Sequence, residues 1–363
     1  MAPAGHQQKP GGQPAARAAK AGTAMDCALA FNQASNKIPY LGEVLFPSRK
    51  KLGLNLAWIK GSNGLPVALA PAEFDTKAPI RDRVGVSRVE TEMPFFREAM
   101  RIGEKDRQQI LMALEARNKD ILKPIIQKIF DDATNLVNGV NVDAERMRMQ
   151  LLSAGTIGID AKGVAYDYDY LMDDSQKSTL TGTDMWSDTE NSNPVEQILA
   201  EMDAAEDATG NRPTRAICTR KTWGYLLQNE KIKKDMNPIG GLNIIMTDNV
   251  LKQYFLDKLG VTVVVYTKKF LLSLDGATQQ FFPDNVFTLI PDGNLGNTYF
   301  GTTPEEADLL TNASQAKVSI VNTGTAVTTY AELHPVNVQT IVSAICLPSF
   351  ETIDSIRIMT VAS

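Results

Sequence analysis

The sequence is poor in the residues that carry most protein chemistry. Its 363 residues include only two histidines and three cysteines. The cysteines, Cys27, Cys218 and Cys346, lie far apart. An odd count without short spacing argues against a disulfide framework and for a reducing compartment. No Cys-x-x-Cys occurs, which argues against a structural zinc site. Cys218 follows Ala216-Ile217 and Cys346 follows Ala344-Ile345, so both read as small buried hydrophobes rather than nucleophiles. His6 sits in a segment without apolar periodicity and cannot be prepositioned. His334 precedes Pro335, and the sequence names neither a nucleophile nor an orienting carboxylate for it. Phosphate loops, dinucleotide fingerprints, His-Glu-x-x-His and Gly-x-Ser-x-Gly are missing. The carboxylate pairs Asp131-Asp132, Asp173-Asp174 and Glu305-Glu306 read as solvated. The expectation is a protein without metal, cofactor or enzymatic activity. Long hydrophobic runs are missing too. The longest aliphatic stretch, near Leu259 to Tyr266, is far short of the roughly 20 residues of a membrane helix. No charged-then-apolar secretory pattern opens the chain, so neither a membrane nor a signal peptide is expected.

What is present is ordinary globular material. Hydrophobic residues make up 43% and charged residues 22%. That composition excludes wholesale disorder and supports two or three domains with a buried core. The net charge of -5 is too mild for a dedicated nucleic-acid binder, but it is unevenly spread. Residues 1–60 carry eight basic side chains against two acidic ones, giving +6 and leaving -11 for the remainder. A basic arm ahead of an acidic body contacts polyanions or acidic neighbours, or stays a solvated tail. The basic run Arg49-Lys50-Lys51 is its densest part. Residues 1–24, rich in Ala, Gly, Pro and Gln, predict disordered or extended chain.

Leu54, Leu56 and Trp58 alternate with polar or small residues. Gly61-Ser62-Asn63-Gly64 follows, and then Leu65, Val67 and Leu69 at the same period. That pattern predicts a hairpin turning at Asn63-Gly64. Residues 71–93 show neither strong period and predict a long loop extending from the body. Ile110, Leu111 and Leu114 recur at helical spacing. A second stripe runs from Ile121 to Val137, interrupted by Pro124. The spacing predicts either a helix starting near Asn118 or one long helix kinked there, ended by Asn138-Gly139. A third helix follows from Asp143 through Leu152. Val164, Tyr166, Tyr168 and Tyr170 alternate with Asp167 and Asp169, predicting a half-buried strand with a solvated or weakly cation-binding carboxylate face. Asn193-Pro194-Val195-Glu196 opens a helix with a box-like cap. Strands near 215–219, 242–247 and 261–266 alternate with helices near 222–232 and 249–259, which is α/β character. Asp275-Gly276 predicts a second hairpin. The last stretch is mostly strand, at residues 318–321, 327–332, 338–346 and 355–361. Trp58, Trp186 and Trp223 do not interleave with basic clusters, so a single-strand stacking surface is unsupported. Projecting elements that one subunit buries poorly fit an assembling structural protein.

Several stretches resemble the tailed-phage major capsid proteins of the lambda capsid protein E family, over roughly residues 38–363. They are Pro71-Ala72-Glu73-Phe74-Asp75 through Arg81-Asp82-Arg83, Met93-Pro94-Phe95-Phe96-Arg97-Glu98, and Arg146 to Leu152. Trp186-Ser187-Asp188 with Asn193-Pro194 follows. Then come Phe282-Pro283-Asp284-Asn285, Gly296-Asn297-Thr298, Gly301, Pro304-Glu305-Glu306 and Leu347-Pro348-Ser349-Phe350. Each is weak alone, and their colinear order is strong.

The resemblance implies an α+β protein with the Hong Kong 97-like phage capsid fold. It implies an N-terminal arm at residues 1–52, an extended loop at 53–93, and a spine helix with the peripheral domain at 94–192. An axial domain at 193–330 and C-terminal strands at 331–363 completing both domains would follow. Trp58, Asn63, Gly64, Asp75, Arg81 and Arg83 become candidate assembly residues. Arg49, Lys50 and Lys51 become candidate contacts to DNA or a neighbour. The function implied is a major capsid protein forming pentamers and hexamers in an icosahedral shell around double-stranded DNA, held without sequence specificity. Portal, scaffolding and decoration proteins would be partners, and the virion, assembled in the bacterial cytoplasm, its location. A same-fold nanocompartment shell and a cytosolic α/β enzyme on residues 193–290 are the alternative readings.

Overall fold

The computed structural model describes residues 40–60, 87–104, 108, 112, 119–161, 164–240, 242–273, 276–311, 317–333 and 336–363. In chain order, the first elements are α1 (Leu41–Leu45), β1 (Ser48–Lys50), β2 (Asn55–Lys60), β3 (Ser87–Glu92), β4 (Phe95–Ile102) and α2 (Lys119–Ala154). Then come β5 (Thr156–Ala161), β6 (Val164–Asp169), β7 (Lys177–Thr179), α3 (Pro194–Thr209), β8 (Arg215–Cys218), α4 (Arg220–Gln228) and α5 (Glu230–Met236). Next are α6 (Asp248–Leu259), β9 (Thr262–Val265), β10 (Lys269–Leu271), β11 (Thr278–Gln280), β12 (Val286–Ile290) and β13 (Thr298–Phe300). The chain ends with α7 (Pro304–Leu310), β14 (Lys317–Val321), β15 (Thr325–Leu333), β16 (Val336–Pro348) and β17 (Arg357–Thr360).

Two sheets organise the body. One runs β1-β13-β16-β15-β14, with β4 also pairing β16. Strand β16 is 13 residues long, long enough to hold β4 over Val338–Ile345 and β13 over Cys346–Pro348. The other sheet runs β7-β17-β12-β8-β9. Its alternating side chains separate two cores. Ile217, Val286, Ile290 and Ile358 face a core shared with α2 and β16. Ala216, Cys218, Phe287, Leu289 and Met359 face a second core built from α3 to α6, with Trp186 and Trp223 fully buried. This sheet is therefore covered on both sides, and β12 is buried along its whole length.

The long helix differs from its expected form. A single 36-residue helix, about 54 Å at 1.5 Å per residue, spans Lys119–Ala154 without ending at Gly139. Ala133, Leu136, Val137, Val140, Ala144, Met147 and Leu151 form one continuous buried stripe. Its burial outweighs the roughly 1 kcal/mol that glycine costs in a helix interior. The expected third helix is simply the end of this one. Its stop is Gly155, at φ +73°, where the N–H bonds Leu151 O at 2.9 Å.

Four further expectations are corrected. Residues 87–92 form a strand where the sequence predicts loop, and residues 95–102, the expected lead into the helices, form the strand that precedes α2. β2 pairs antiparallel with β3, Asn55 opposite Glu92 and Lys60 opposite Ser87; residues 65–69, its expected partner, lie outside the described residues. Ser-Arg-Val-Glu-Thr-Glu carries little apolar signal, so periodicity could not reveal it. The helix near 222–232 is two helices, broken at Asn229, whose side chain accepts from Ile232 N and donates to Ser192 O and Oγ. Residues 242–247 form no strand. The Asn193 side chain makes no capping bond, although Pro194 does occupy the first turn. The second hairpin is present as β10 paired with β11. On β6, Tyr166 and Tyr168 are half-buried while Asp167 and Asp169 are exposed, the expected alternation. Among the described residues, no helix is long and apolar enough to cross a membrane.

Candidate assembly site at the roots of residues 1–39 and 61–86

The two segments singled out by the sequence join the body through one continuous patch of glycines, carboxylates and cations. At the first root, Leu45 and Phe46 are buried, and Phe46 packs edge-on to Phe350 at 5.5 Å. Leu295 N bonds Leu45 O at 2.9 Å, Thr298 N bonds Pro47 O at 2.9 Å, and β1 then runs parallel to β13. Beneath α1 lies a buried charge cluster on the spine helix α2. Glu145, fully buried, accepts on one oxygen from Gly42 N at 3.0 Å and from the Tyr266 hydroxyl at 2.6 Å. Its other oxygen stands 3.6 Å from Arg148, whose Nε donates to Thr298 Oγ1 at 2.8 Å. A Cβ at position 42 would overlap the Glu145 carboxylate and the Arg148 side chain, so only glycine lets α1 approach this closely. Burial pushes the Glu145 carboxyl up despite the Tyr266, Gly42 and Arg148 interactions, and pulls the Arg148 guanidinium down. Nearby on α2, burial raises Asp143 to about 6, with Glu98 raising it further and Arg146 opposing.

The second root is the base of the β2–β3 ribbon. Met93 N bonds Leu54 O at 2.9 Å, and Leu56 and Met93 insert into the first core. Gly53, at φ +88°, exchanges bonds with Thr302: its N–H donates to Thr302 Oγ1 at 3.3 Å, and Thr302 N donates to its carbonyl at 3.3 Å. Gly301 has no room for a side chain. A Cβ there would sit 2.7 Å from Gly53 O, 2.8 Å from Met93 Cε and 2.9 Å from Ile345 Cγ2. Just beyond, Thr303 caps α7 through Glu306 N at 3.3 Å. The first turn of α7 then presents Glu305 to Arg97 of β4, and Glu306 to Lys50 of β1. Ser343 also donates to Glu305 at 2.7 Å. Against the upward push of burial, the Ser343 bond, a backbone bond and Arg97 hold Glu305 below the ordinary glutamate value. The pair Glu305-Glu306, read from sequence as solvated, therefore ties both roots to one helix start.

The sequence-derived candidates are unevenly placed. Lys50 donates to Gly301 O at 2.8 Å and pairs Glu306, so it is engaged within the chain. Lys51 lies over the Tyr299 ring at 5.9 Å, and Arg49 is exposed. Trp58 sits on β2 opposite Val89. Asn63, Gly64, Asp75, Arg81 and Arg83 lie outside the described residues, as do His6, His334 and Cys27. Cys218 and Cys346 are buried and free, and burial pushes the Cys346 thiol up to about 12. Asp173 caps a short 3-10 turn reciprocally with Gln176. Among the described residues, no group of three or more His, Cys, Asp or Glu could hold a metal ion. Sequence reasoning missed Gly42, Glu145, Arg148 and the roles of Glu305 and Glu306. One signal was available: Arg148 falls on the apolar stripe of α2, four residues after Ala144 and three before Leu151.

Comparison with known proteins extends this geometry. A family described as phage major capsid protein E matches residues 27–361. A protein described as a prophage capsid protein from E. coli CFT073 superposes with a TM-score of 0.58 at 14% identity, covering 94% of this chain and 99% of its own. A phage-related protein from Bordetella bronchiseptica RB50 gives 0.54 at 12% identity, covering 92% and 97%. The capsid asymmetric unit of cyanophage A-1(L) gives 0.49 at 13% identity, covering 89% and 92%. No protein of curated function matches the sequence significantly. At these identities the first two likenesses speak for the fold alone.

Proposed function

Because the chain belongs to the phage major capsid protein E family, we propose a residue-level account of how it performs that family's role. The chain has the Hong Kong 97-like fold of α helices and sheets, and it is a shell-building structural protein, a component of the virion made from many copies of itself. The finer assignments that follow are our reading. Residues 1–52 act as an arm and residues 53–93 as the loop that reaches a neighbouring copy. The core of α2 and the six-stranded sheet is the peripheral part, which with the spine helix covers residues 94–192. The core of α3 to α6 is the axial part, drawn chiefly from residues 193–330. Strands from 331–363 complete both.

The observation that carries this reading is the shared anchor. One α7 start holds Lys50 next to the arm and Arg97 next to the loop, while Gly42 and Gly301 let both backbones pack tightly on the body. A chain that occupies both pentamers and hexamers needs rigid roots, so that adjustment is confined to the segments beyond them. Individually modest contacts then add up through closed symmetry. Packaged double-stranded DNA is held electrostatically and without sequence preference, with Arg49 and Lys51 of the arm as candidate contacts. Portal, scaffolding and decoration proteins complete the particle in the bacterial cytoplasm. The test is electron microscopy of purified particles with nuclease digestion. Icosahedral shells holding nuclease-protected DNA are expected. Shells that hold enzyme cargo and no DNA point instead to a nanocompartment.

A further inference from the structure

A cavity of about 280 Å³ lies where the last turn of α3 meets two short 3-10 turns, Asp174–Gln176 and Ile353–Ser355. Three carboxylates line it, from Asp173, Glu351 and Asp354, against one cation, Arg357 of β17. Arg357 is 4% exposed, yet its bonds go to carbonyls rather than to a carboxylate. Nη1 donates to Ser175 O and Nη2 to Ala204 O, both at 2.7 Å. Its Nε–H is buried and has no acceptor among the described residues. Leaving the N–H of a buried guanidinium bare is costly, and an acceptor entering the cavity removes that cost.

The carboxylates are open to a partner as well. Glu351 accepts from neutral groups, Asn297 Nδ2 at 3.2 Å and Ser349 Oγ at 3.0 Å. Asp354 makes no hydrogen bond or ion pair among the described residues. Helix α3 strengthens the field, since it carries five acidic side chains and no basic one. Ala208 and Thr209 bring its C-terminal end, the negative end of its dipole, to the cavity wall. An anion would suit Arg357 but meets three carboxylates, so phosphate, including that of DNA, does not fit. A lone cation suits the carboxylates but leaves the Arg357 Nε–H bare. A basic peptide meets both demands, with backbone carbonyls for the guanidinium and cationic side chains for the acids.

We propose that this cavity receives the chain's own N-terminal segment, residues 1–25. That segment carries Lys9, Arg17 and Lys20 and no acidic residue, on a background rich in Ala, Gly and Pro. Its charge is opposite to that of the cavity, and its small side chains let the backbone come close. The position of its tether agrees. The described residues begin at Tyr40, and Leu295 joins the root of that segment to the cavity wall. Leu295 N bonds Leu45 O at 2.9 Å, and Leu295 O accepts from Thr352 N at 3.1 Å. Thr352 is itself a lining residue. A segment tethered beside its site is held at high effective concentration, which favours the chain's own segment over a neighbour's. The contact lies within one chain and does not depend on shells forming.

The test uses the full-length chain. A water-soluble carbodiimide at low salt joins a lysine amine to a carboxylate in contact with it, and peptide mapping identifies the product. Lys9 or Lys20 should be joined to Asp354 or Glu351, and the product should be lost in about 1 M NaCl. In an equal mixture of isotope-labelled and unlabelled chains, each cross-linked pair should carry a single isotope. Trypsin reads the same contact. An Asp354→Asn, Ala208→Lys chain, changed at the exposed rim and at the unpaired acid, should keep the parent melting temperature. It should be cut after Arg17 and Lys20 roughly tenfold faster than the parent. Absence of these cross-links at low salt overturns the inference, and so does parent-like cleavage of the folded variant. Cross-linked pairs of mixed isotope give the cavity to a neighbour's segment and overturn the own-chain assignment.

Discussion

A single methyl group placed at two glycines should change stability in opposite directions. At Gly301 the added Cβ of Gly301→Ala would meet Gly53 O at 2.7 Å, Met93 Cε at 2.8 Å and Ile345 Cγ2 at 2.9 Å. Met93 can swing its terminal methyl aside. Gly53 O is backbone, and Ile345 is fixed in β16 by its ladder with β4. Relief therefore has to come from lifting Gly53, whose two bonds to Thr302 are already 3.3 Å long. Overpacking of this kind costs about 1–3 kcal/mol, and a lost hydrogen bond about 1 kcal/mol more. The lower unfolded-state entropy of alanine returns about 0.4–1 kcal/mol. The net expectation is a destabilisation of about 1–3 kcal/mol. Gly139 sits on the exposed side of α2 with nothing within 4 Å of a new Cβ. There Gly139→Ala should stabilise by about 0.5–1 kcal/mol, through helix propensity and the same unfolded-state term. Urea unfolding of both variants measures the two signs. Limited proteolysis locates the effect, because lifting Gly53 loosens the base of the β2–β3 ribbon and should speed cleavage between residues 53 and 93. A Gly301→Ala chain as stable as the parent, with unchanged cleavage there, would refute the close-packed root.

Other consequences follow from the same contacts. Arg148→Met leaves Glu145 as an uncompensated buried charge and should cost about 3–5 kcal/mol by urea unfolding. Adding Glu145→Gln should recover part of that loss, since a neutral amide keeps an acceptor for Gly42 and Tyr266. Burial raises Asp143 from 3.8 to about 6, so its contribution is fully present below pH 4 and is lost as pH rises through 6. That difference corresponds to about 3 kcal/mol at most. Asp143→Asn should lack this slope, and parallel melting curves for both proteins from pH 4 to 7 would contradict it. Glu305→Gln and Glu306→Gln break partly exposed pairs, so each should cost no more than about 1 kcal/mol at low salt and less in 1 M NaCl. An undiminished cost in high salt would show that the pairs do not act through their charge.

Much of the fold could be read from periodicity because its strongest elements bury one face. The α2 stripe, the tyrosine alternation of β6 and the apolar runs of β15 and β16 all write their burial into the sequence. Ser87–Glu92 could not be read this way, since its residues carry too few apolar side chains to show a period. Gly139 misled because a lone glycine is a common helix stop, and only the tertiary stripe overrides it. Residues 242–247 misled in the other direction. Their β-forming composition reflects an apolar exposed loop rather than a strand with a ladder to join. The anchor was the least legible part. Glu305-Glu306 becomes a clamp only when β1, β4 and α7 converge from positions more than 200 residues apart. Glycine 301 is required by a backbone 248 residues earlier, and no local pattern encodes such a contact.

The central claim is that this chain builds a shell enclosing DNA. Electron microscopy of nuclease-treated particles purified from the producing bacteria, with the nucleic acid then extracted, tests it most directly. The account predicts uniform icosahedral particles from which double-stranded DNA is recovered. A preparation that stays monomeric or forms only small oligomers would contradict it.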